Sequence, residues 1–262
     1  MYRLKKHLFV FIFSLLLTLP HYGQHLRKIE NSAYKPGEKL TFRIHYGFID
    51  AGQAVLQIKE NYDTLGGRLC YHVVGTGNSS SLIDPFFKVR DRYESVIDKD
   101  ALVPWLFIRR VDEGGYKINE TIVFNHYKHT ATSEKGSFPV PENIQDLVSA
   151  FFYARTIDFT NAKVGDVFPI RAFLDNEVIP LNLKFIGREN VKSRKGTFRC
   201  LKFRPLLQEG RVFKEQEDMT VWISDDKNKI PIRVQADILV GALKMDLIDY
   251  SGLANEPAIL RK

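Results

Sequence analysis

Several groups of side chains in this 262-residue sequence are of types that do chemistry. His126 and His129 flank Tyr127, and closely spaced imidazoles suit zinc. In a strand, however, positions three apart face opposite sides, and no Cys or carboxylate at matching spacing completes a ligand set. They read as surface histidines near a hairpin. Asp98, Asp100, Asp225 and Asp226 resemble paired carboxylates for acid/base work or calcium. Both pairs precede a Val103-Pro104 or Ile230-Pro231 step, and Asp with Lys or Asn at such a place is what a tight turn requires. Ser79, Ser80 and Ser81 follow Gly75-Thr76-Gly77-Asn78 without the Gly-Lys-Ser/Thr ending of a phosphate loop or the Gly-x-Ser-x-Gly spacing of a nucleophile. They read as a mobile polar loop leading into Leu82, Ile83, Phe86 and Phe87. No catalytic residue, metal site or cofactor is expected, and the chain reads as non-enzymatic.

The remaining lead is aromatic. Phe42, Tyr46, Phe48, Phe86, Phe87, Trp105, Phe107, Phe151, Phe152, Tyr153 and Trp222 either fill a β core or partly line a cavity able to take an acyl chain or another apolar ligand. Arg43, His45, Arg90, Arg92 and Arg109 are the polar company that could meet a phosphate or carboxylate headgroup at its mouth. The expected ligand-binding set is therefore Arg43, His45, Tyr46, Phe86, Phe87, Arg90, Arg92, Trp105, Arg109, Phe151 and Phe152.

The elements that must position these residues are mostly strands. Leu40, Phe42, Ile44 and Tyr46 alternate with Lys39, Thr41, Arg43 and His45, and the same period of two runs through Met219–Ile223 and Ile232–Val240. Glycine-rich turns at Asp50-Ala51-Gly52, Leu65-Gly66-Gly67, Asp112–Gly115, Arg194-Lys195-Gly196 and Val240-Gly241 separate the runs and imply antiparallel pairing. The order of signals occurs twice. Lys35-Pro36-Gly37-Glu38, Cys70 and Val103-Pro104 are answered by Lys163-Val164-Gly165-Asp166, Cys200 and Ile230-Pro231, which points to an internal duplication. One repeat spans about 34–134 and the other about 162–250, each with roughly six strands. So many strands should curl into a barrel or half-barrel. Between them, Ile144, Leu147, Val148, Phe151 and Phe152 recur with helical spacing. They predict a helix over about 143–156, capped by Asn143 and lying across the concave face of the sheet. The fold class expected is all-β: one duplicated domain built on a strongly curved antiparallel sheet or unclosed barrel, with one helix. The tail from Gly252 reads as frayed.

Arg3, Lys5 and Lys6 precede an apolar run from Leu8 to Leu19, which predicts a secretory signal spanning 1–23. The run is too short for a membrane span, which needs about 20 residues. Its removal takes the net charge from +7 to +4, with no clustered basic stripe, so nucleic acid is not an expected partner. In an exported protein, Cys70 and Cys200 could form a disulfide or remain two buried apolar side chains.

Gly37–Leu40, Tyr46–Gly52, Phe151–Arg155, Val221–Asp226 and Ile230–Val234 together resemble the DUF3108 family of exported bacterial proteins across nearly the whole mature chain. The resemblance implies a β-rich envelope protein of a diderm bacterium, periplasmic or associated with the outer membrane. It supplies no catalytic residues. Three functions follow as expectations: binding of a lipid-like ligand in the concave face; a scaffold that pairs with an envelope protein through exposed strand edges; and, with least support from the residues, a hydrolase of envelope polymers.

Overall fold

The computed structural model describes residues 25–206, 219–237 and 241–260; the expected export signal lies outside them. Turns built on Gly47, Gly66-Gly67 and Gly114-Gly115, with glycine-free connections between the other pairs, return the extended runs beside one another, giving β1 (Lys39–Tyr46), β2 (Ile49–Ile58), β3 (Asp63–Leu65), β4 (Arg68–Ser79), β5 (Arg90–Asp98), β6 (Pro104–Glu113), β7 (Tyr116–Asn125), β8 (Thr130–Ser133) and β9 (Gly136–Pro139). The helix α1 (Leu147–Ala154) follows. Beyond it come β10 (Val167–Phe168), β11 (Arg171–Leu174), β12 (Glu177–Pro180), β13 (Asn182–Ser193), β14 (Gly196–Leu206), β15 (Met219–Ser224), β16 (Pro231–Asp237), β17 (Ala242–Ser251) and β18 (Ile259–Leu260).

Apart from the small β11–β12 ribbon, these strands form one antiparallel sheet in the order β10-β13-β14-β15-β16-β17-β1-β2-β4-β5-β6-β7-β8-β9. The meander β1-β2-β4-β5-β6-β7 recurs as β10-β13-β14-β15-β16-β17, and β17 pairs with β1 to join the halves head to tail. Equivalent residues keep equivalent partners: Cys70 lies opposite Asp98, and Cys200 opposite Ser224. The end strands β9 and β10 do not pair with each other, so the sheet curls without closing.

The helix measures the curvature. Phe152 packs in a core with Tyr71, Val73 and Ile97 of β4 and β5, while Phe151 faces Phe203 and Ile223 of β14 and β15 across a cavity. In the strand order β15 and β5 are six steps apart, about 29 Å in a flat sheet at roughly 4.8 Å per step. An element touching both must sit inside the curve, as expected.

The helix is shorter than its apolar periodicity implies. Asp146, not Asn143, is the N-cap: its carboxylate accepts the Ser149 amide at 2.7 Å while Ser149 Oγ accepts the Asp146 amide at 2.8 Å. Asn143 sits at φ +57°, outside helical geometry, and Gln145 pairs with the β11 backbone instead. Local periodicity could not distinguish this pairing from a first helical turn.

The two rims of the sheet differ. Antiparallel order brings the Asp98–Val103 and Asp225–Lys229 turns to one rim, called here the lower rim. The N-terminal segment is tied there through Ile29 N to Asp100 O at 2.8 Å and Arg27 Nε to Ala101 O at 2.9 Å. The tail, expected to fray, is tied down as well. Asn255 exchanges hydrogen bonds with Asn228 and donates to Ser32 O at 2.8 Å; Ala258 N donates to Asp226 at 2.7 Å; and β18 pairs with β14. Its polarity reflects these partners. Partly because Ile259 and Leu253 cover Phe198 and Cys200, β14 is buried on both faces, with Leu201 and Phe203 in a separate core beside Phe159.

Candidate functional site

Between α1 and the β13–β15 half of the sheet lies a cavity of about 310 Å³. Leu147, Ala150, Phe151 and Ala154 contribute one wall, Leu183, Phe203, Val221 and Ile223 the other, and Phe159 and Ile170 come from the chain leading to β11. Helical spacing puts the first set on one stripe. Strand alternation and pairing align Phe203 with Val221 and Leu183 with Pro205. Two cations stand among these apolar residues, Arg155 and Lys229.

Arg155 is fully buried and committed elsewhere. Its guanidinium holds Glu38 through Nη1–Oε1 at 2.5 Å and Nη2–Oε2 at 2.8 Å, and donates through Nε to Asn228 O at 2.9 Å. It thereby ties the end of α1 to the start of β1 and to the β15–β16 turn, and with Glu38 equally buried the bidentate geometry is what makes the charge tolerable. Lys229 is half-buried in that same turn. Burial pulls its ammonium below the usual lysine range, while Asp158 and Asp226 act in the opposite direction. The cavity thus runs from cations at the lower rim to Leu181, Pro205 and Met219 at the strand ends of the opposite, upper rim.

Of the residues expected to bind ligand, Phe151 alone lines this space. Phe152 is core, edge-on to Tyr34 at 4.8 Å. Trp105 donates Nε1–H to Asp98 at 3.0 Å and lies against His126. The polar residues do not converge on a headgroup site. Arg43 pairs with Asp50 at 3.3 Å, and His45 lies between Gly47 O and Asp246. Arg90 holds Asp84, Arg92 holds Glu94, and Arg109 bridges Asp175 and Glu120. Each arginine is answered by a carboxylate: Arg92 by a neighbour on the same face of β5, Arg90 within its own loop, Arg43 across the β1–β2 hairpin, and Arg109 by carboxylates on β7 and the β11–β12 turn, which sequence spacing does not reveal. Tyr46, Phe86 and Phe87 are exposed at the upper rim.

Sequence reasoning passed over Arg155, Lys229, Phe159, Leu183, Phe203, Val221 and Ile223 as cavity residues. The legible signal was a charged residue at the end of an apolar helix stripe, Phe151-Phe152-Tyr153-Ala154-Arg155.

The other clusters resolve into structure. Asp98 is buried; against the pull of that burial, Arg68 above all, with the Ala101 amide and Trp105, holds its carboxyl below the usual range. Asp226 occupies the corresponding turn of the second half, accepting the Asn228 and Lys229 amides. Both are turn carboxylates. His126 is buried, not a surface residue, with Nε2 on Pro104 O at 2.6 Å; burial lowers its pKa. The Ser79–Ser81 loop is held, not loose. Asp84 takes Ser79 Oγ and Arg90, which hold its carboxyl down at about 2, and Ser80 bonds to Asp50 O and Ala51 O. Cys70 and Cys200 are free and buried, at corresponding points of β4 and β14 in the two halves. Burial pushes each thiol up to about 12.

Among the described residues no group of His, Cys, Asp or Glu is arranged to hold a metal, and no helix is long and apolar enough to cross a membrane. No curated protein matches the chain. Solved structures do. A β-barrel-like DUF1849 protein from Brucella abortus aligns with a TM-score of 0.56 at 8% identity, over 84% of this chain and 99% of its own. The hypothetical protein CT021 from Chlamydia trachomatis gives 0.39 at 10% identity, over 88% and 95%. A Bacteroides fragilis protein of YmcC-like fold gives 0.37 at 9% identity, over 87% and 100%. At these identities the Brucella protein shares the barrel-like fold and nothing finer. The family model for proteins of unknown function DUF3108 matches residues 41–248, most of the chain, and this protein belongs to that family.

Proposed function

We propose that this is a non-catalytic, exported envelope protein that holds the apolar part of a lipid-like ligand between α1 and β13–β15. The observation that carries the reading is the cavity itself. Apolar side chains dominate its walls, and its volume of about 310 Å³ reaches the lower end of small-molecule sites, roughly 300–1,000 Å³. A protein core is close-packed, and voids of this size in a dry interior cost stability. Lys229 at the lower end suits a carboxylate or phosphate, since an anion there would offset the desolvation of its ammonium. Export rests on the N-terminal basic and apolar run, residues 3–19.

The edge-scaffold alternative rests on a different observation. The terminal strands are short, β9 of four residues with Pro139 last and β10 of two, and among the described residues β10 pairs only Leu183 and Lys184 of the twelve-residue β13, leaving the rest of that strand's outer edge without a strand neighbour. Such an edge offers backbone to an added strand.

Native mass spectrometry of protein purified gently from its own envelope, with organic extraction, tests the proposal. A stoichiometric lipid and displacement of a fluorescent long-chain fatty acid by it are the expected results. Bare protein that also leaves the fluorescent probe unbound sinks the reading. Ala150→Leu supplies the control: Ala150 is buried and lines the cavity, so the larger side chain should fill it, abolish probe binding and leave thermal stability equal or raised by about 1 kcal/mol.

A further inference from the structure

We propose that the upper rim is a surface that docks on an uncharged or zwitterionic lipid bilayer. Three neighbouring turns there present apolar side chains to solvent. Phe48 at the β1–β2 tip is 102% exposed and Ile49 beside it 48%; Leu82, Phe86 and Phe87 in the loop between β4 and β5 are 61%, 86% and 51% exposed; Tyr116 at the β6–β7 tip is 65% exposed. Exposed apolar residues scattered singly are ordinary, but a contiguous set marks a contact surface.

These turns are joined. Ser80 bonds to Asp50 O and Ala51 O, fastening the loop to the β1–β2 hairpin. At its other end Gly114 N donates to Lys88 O at 2.8 Å, and the Phe87 ring lies where a Cβ on Gly114 would stand. The Asp84–Arg90 pair locks the loop internally. The aromatic side chains are therefore presented by held backbone, so little ordering entropy is lost when they enter another phase.

Shape and charge select the occupant. The apolar groups stand on separate convex tips, which suits a deformable lipid surface better than a fixed partner. Among the described residues, Arg43 pairs with Asp50, Arg90 with Asp84 and Lys117 with Asp112 at this rim; Lys88, exposed beside Phe87, is offset by the nearby Asp84 and by Asp91 and Glu113 at the same strand ends. With cations and carboxylates balanced, little net field remains to favour anionic headgroups, and aromatic insertion at the interface is the attraction left. The lower rim, by contrast, is covered by the N-terminal segment and the tail.

Flotation of the purified protein with phosphatidylcholine vesicles tests this. Wild-type protein should float, and should still float in about 0.5 M salt, where charge attraction is screened within a few Å. F48S/F86S, at positions exposed enough to leave the fold intact, should bind at least about tenfold more weakly. Leu65→Ser, an exposed change at the lower rim, should float like wild type. Compared in the same form, the variants share any contribution of the N-terminal apolar run. Failure of the wild type to float, equal flotation of F48S/F86S, or binding confined to anionic vesicles at low salt would each overturn the proposal. So would dimerisation lost in F48S/F86S without flotation of the wild type, which assigns the rim to a second copy. The cavity stands apart from this test: F48S/F86S should still bind the fluorescent fatty acid, so failure at the rim and failure in the cavity are distinguishable.

Discussion

At the scale of single residues, the ion pair of Arg155 and Glu38 concentrates the largest electrostatic stake. Both side chains are 1% exposed, so removing one strands the other in a poorly polar interior. Arg155→Met should lower unfolding free energy by about 3–5 kcal/mol in urea titration, with part recovered when Glu38 is also made apolar. Asp146 gives a pH signature. Burial raises its carboxyl from 3.8 to about 6, with Ser95 and Ser149 partly opposing. The folded state therefore takes up the proton more readily than the unfolded chain. Its contribution to stability is fully present below about pH 4 and lost as pH rises through about 6. Asp146→Asn removes this titration, so the stability of wild type relative to the variant should decline between about pH 4 and 7; a flat difference would contradict the assignment. The thiols should be silent. With both cysteines buried and their pKa values near 12, reductant should leave the melting temperature unchanged, and thiol reagents should label only unfolded protein.

At the scale of elements, the tail behaves as a structural strap. Gly252 turns the chain at φ +67°, and a Cβ there would overlap the Gly37 carbonyl. Beyond it, the Asn255 backbone exchanges hydrogen bonds with the Asn228 side chain, and the Asn255 side-chain amide donates to Ser32 O. Asn255→Ala keeps the backbone bonds, removes the side-chain donations to Ser32 O and Asn228 Oδ1 and should cost about 0.5–1.5 kcal/mol, read as a lower denaturant midpoint. Hydrogen exchange should rise first in residues 252–260 and in the 226–230 turn. The helix is the complementary element. Too short to be stable alone, it is fixed by the Asp146 cap at one end and by Arg155 at the other, and this clamping keeps it standing off the β13–β15 wall.

At the scale of the whole molecule, curvature decides whether there is a site. Six-stranded halves joined through β17 and β1 bend far enough for one helix to reach β5 and β15 together. The helix fills the space against β4 and β5 with Phe152 and leaves it unfilled against β14, where the shorter Ala150 and Ala154 face Phe203 and Ile223. The two halves, alike in strand order, thus differ in what they enclose. The same asymmetry appears at the rims, one covered by both chain ends and the other presenting Phe48 and Phe86.

The sequence alone determined whatever depends on neighbours along the chain. Alternation from Leu40 to Tyr46 made a strand, Gly66-Gly67 and Gly114-Gly115 made turns, and Phe151 and Phe152 marked an apolar helix. The recurrence of the Cys70 and Val103-Pro104 signals at Cys200 and Ile230-Pro231 foretold the repeated meander, because these patterns report local backbone geometry and which face is buried. Tertiary structure alone decided the partners. Arg109 looked available for a ligand until Glu120 of β7 and Asp175 of the β11–β12 turn claimed it, and Arg43, Arg90 and Arg92 are held by carboxylates nearer along the chain, Asp50, Asp84 and Glu94. Asn143 looked like a cap until Gln145 paired with β11, and the tail looked loose until Asn228 and Asp226 met it. The cavity depended on Ala150, Phe203 and Ile223 meeting from opposite walls, and no spacing along the chain encodes that distance, which curvature of the sheet sets.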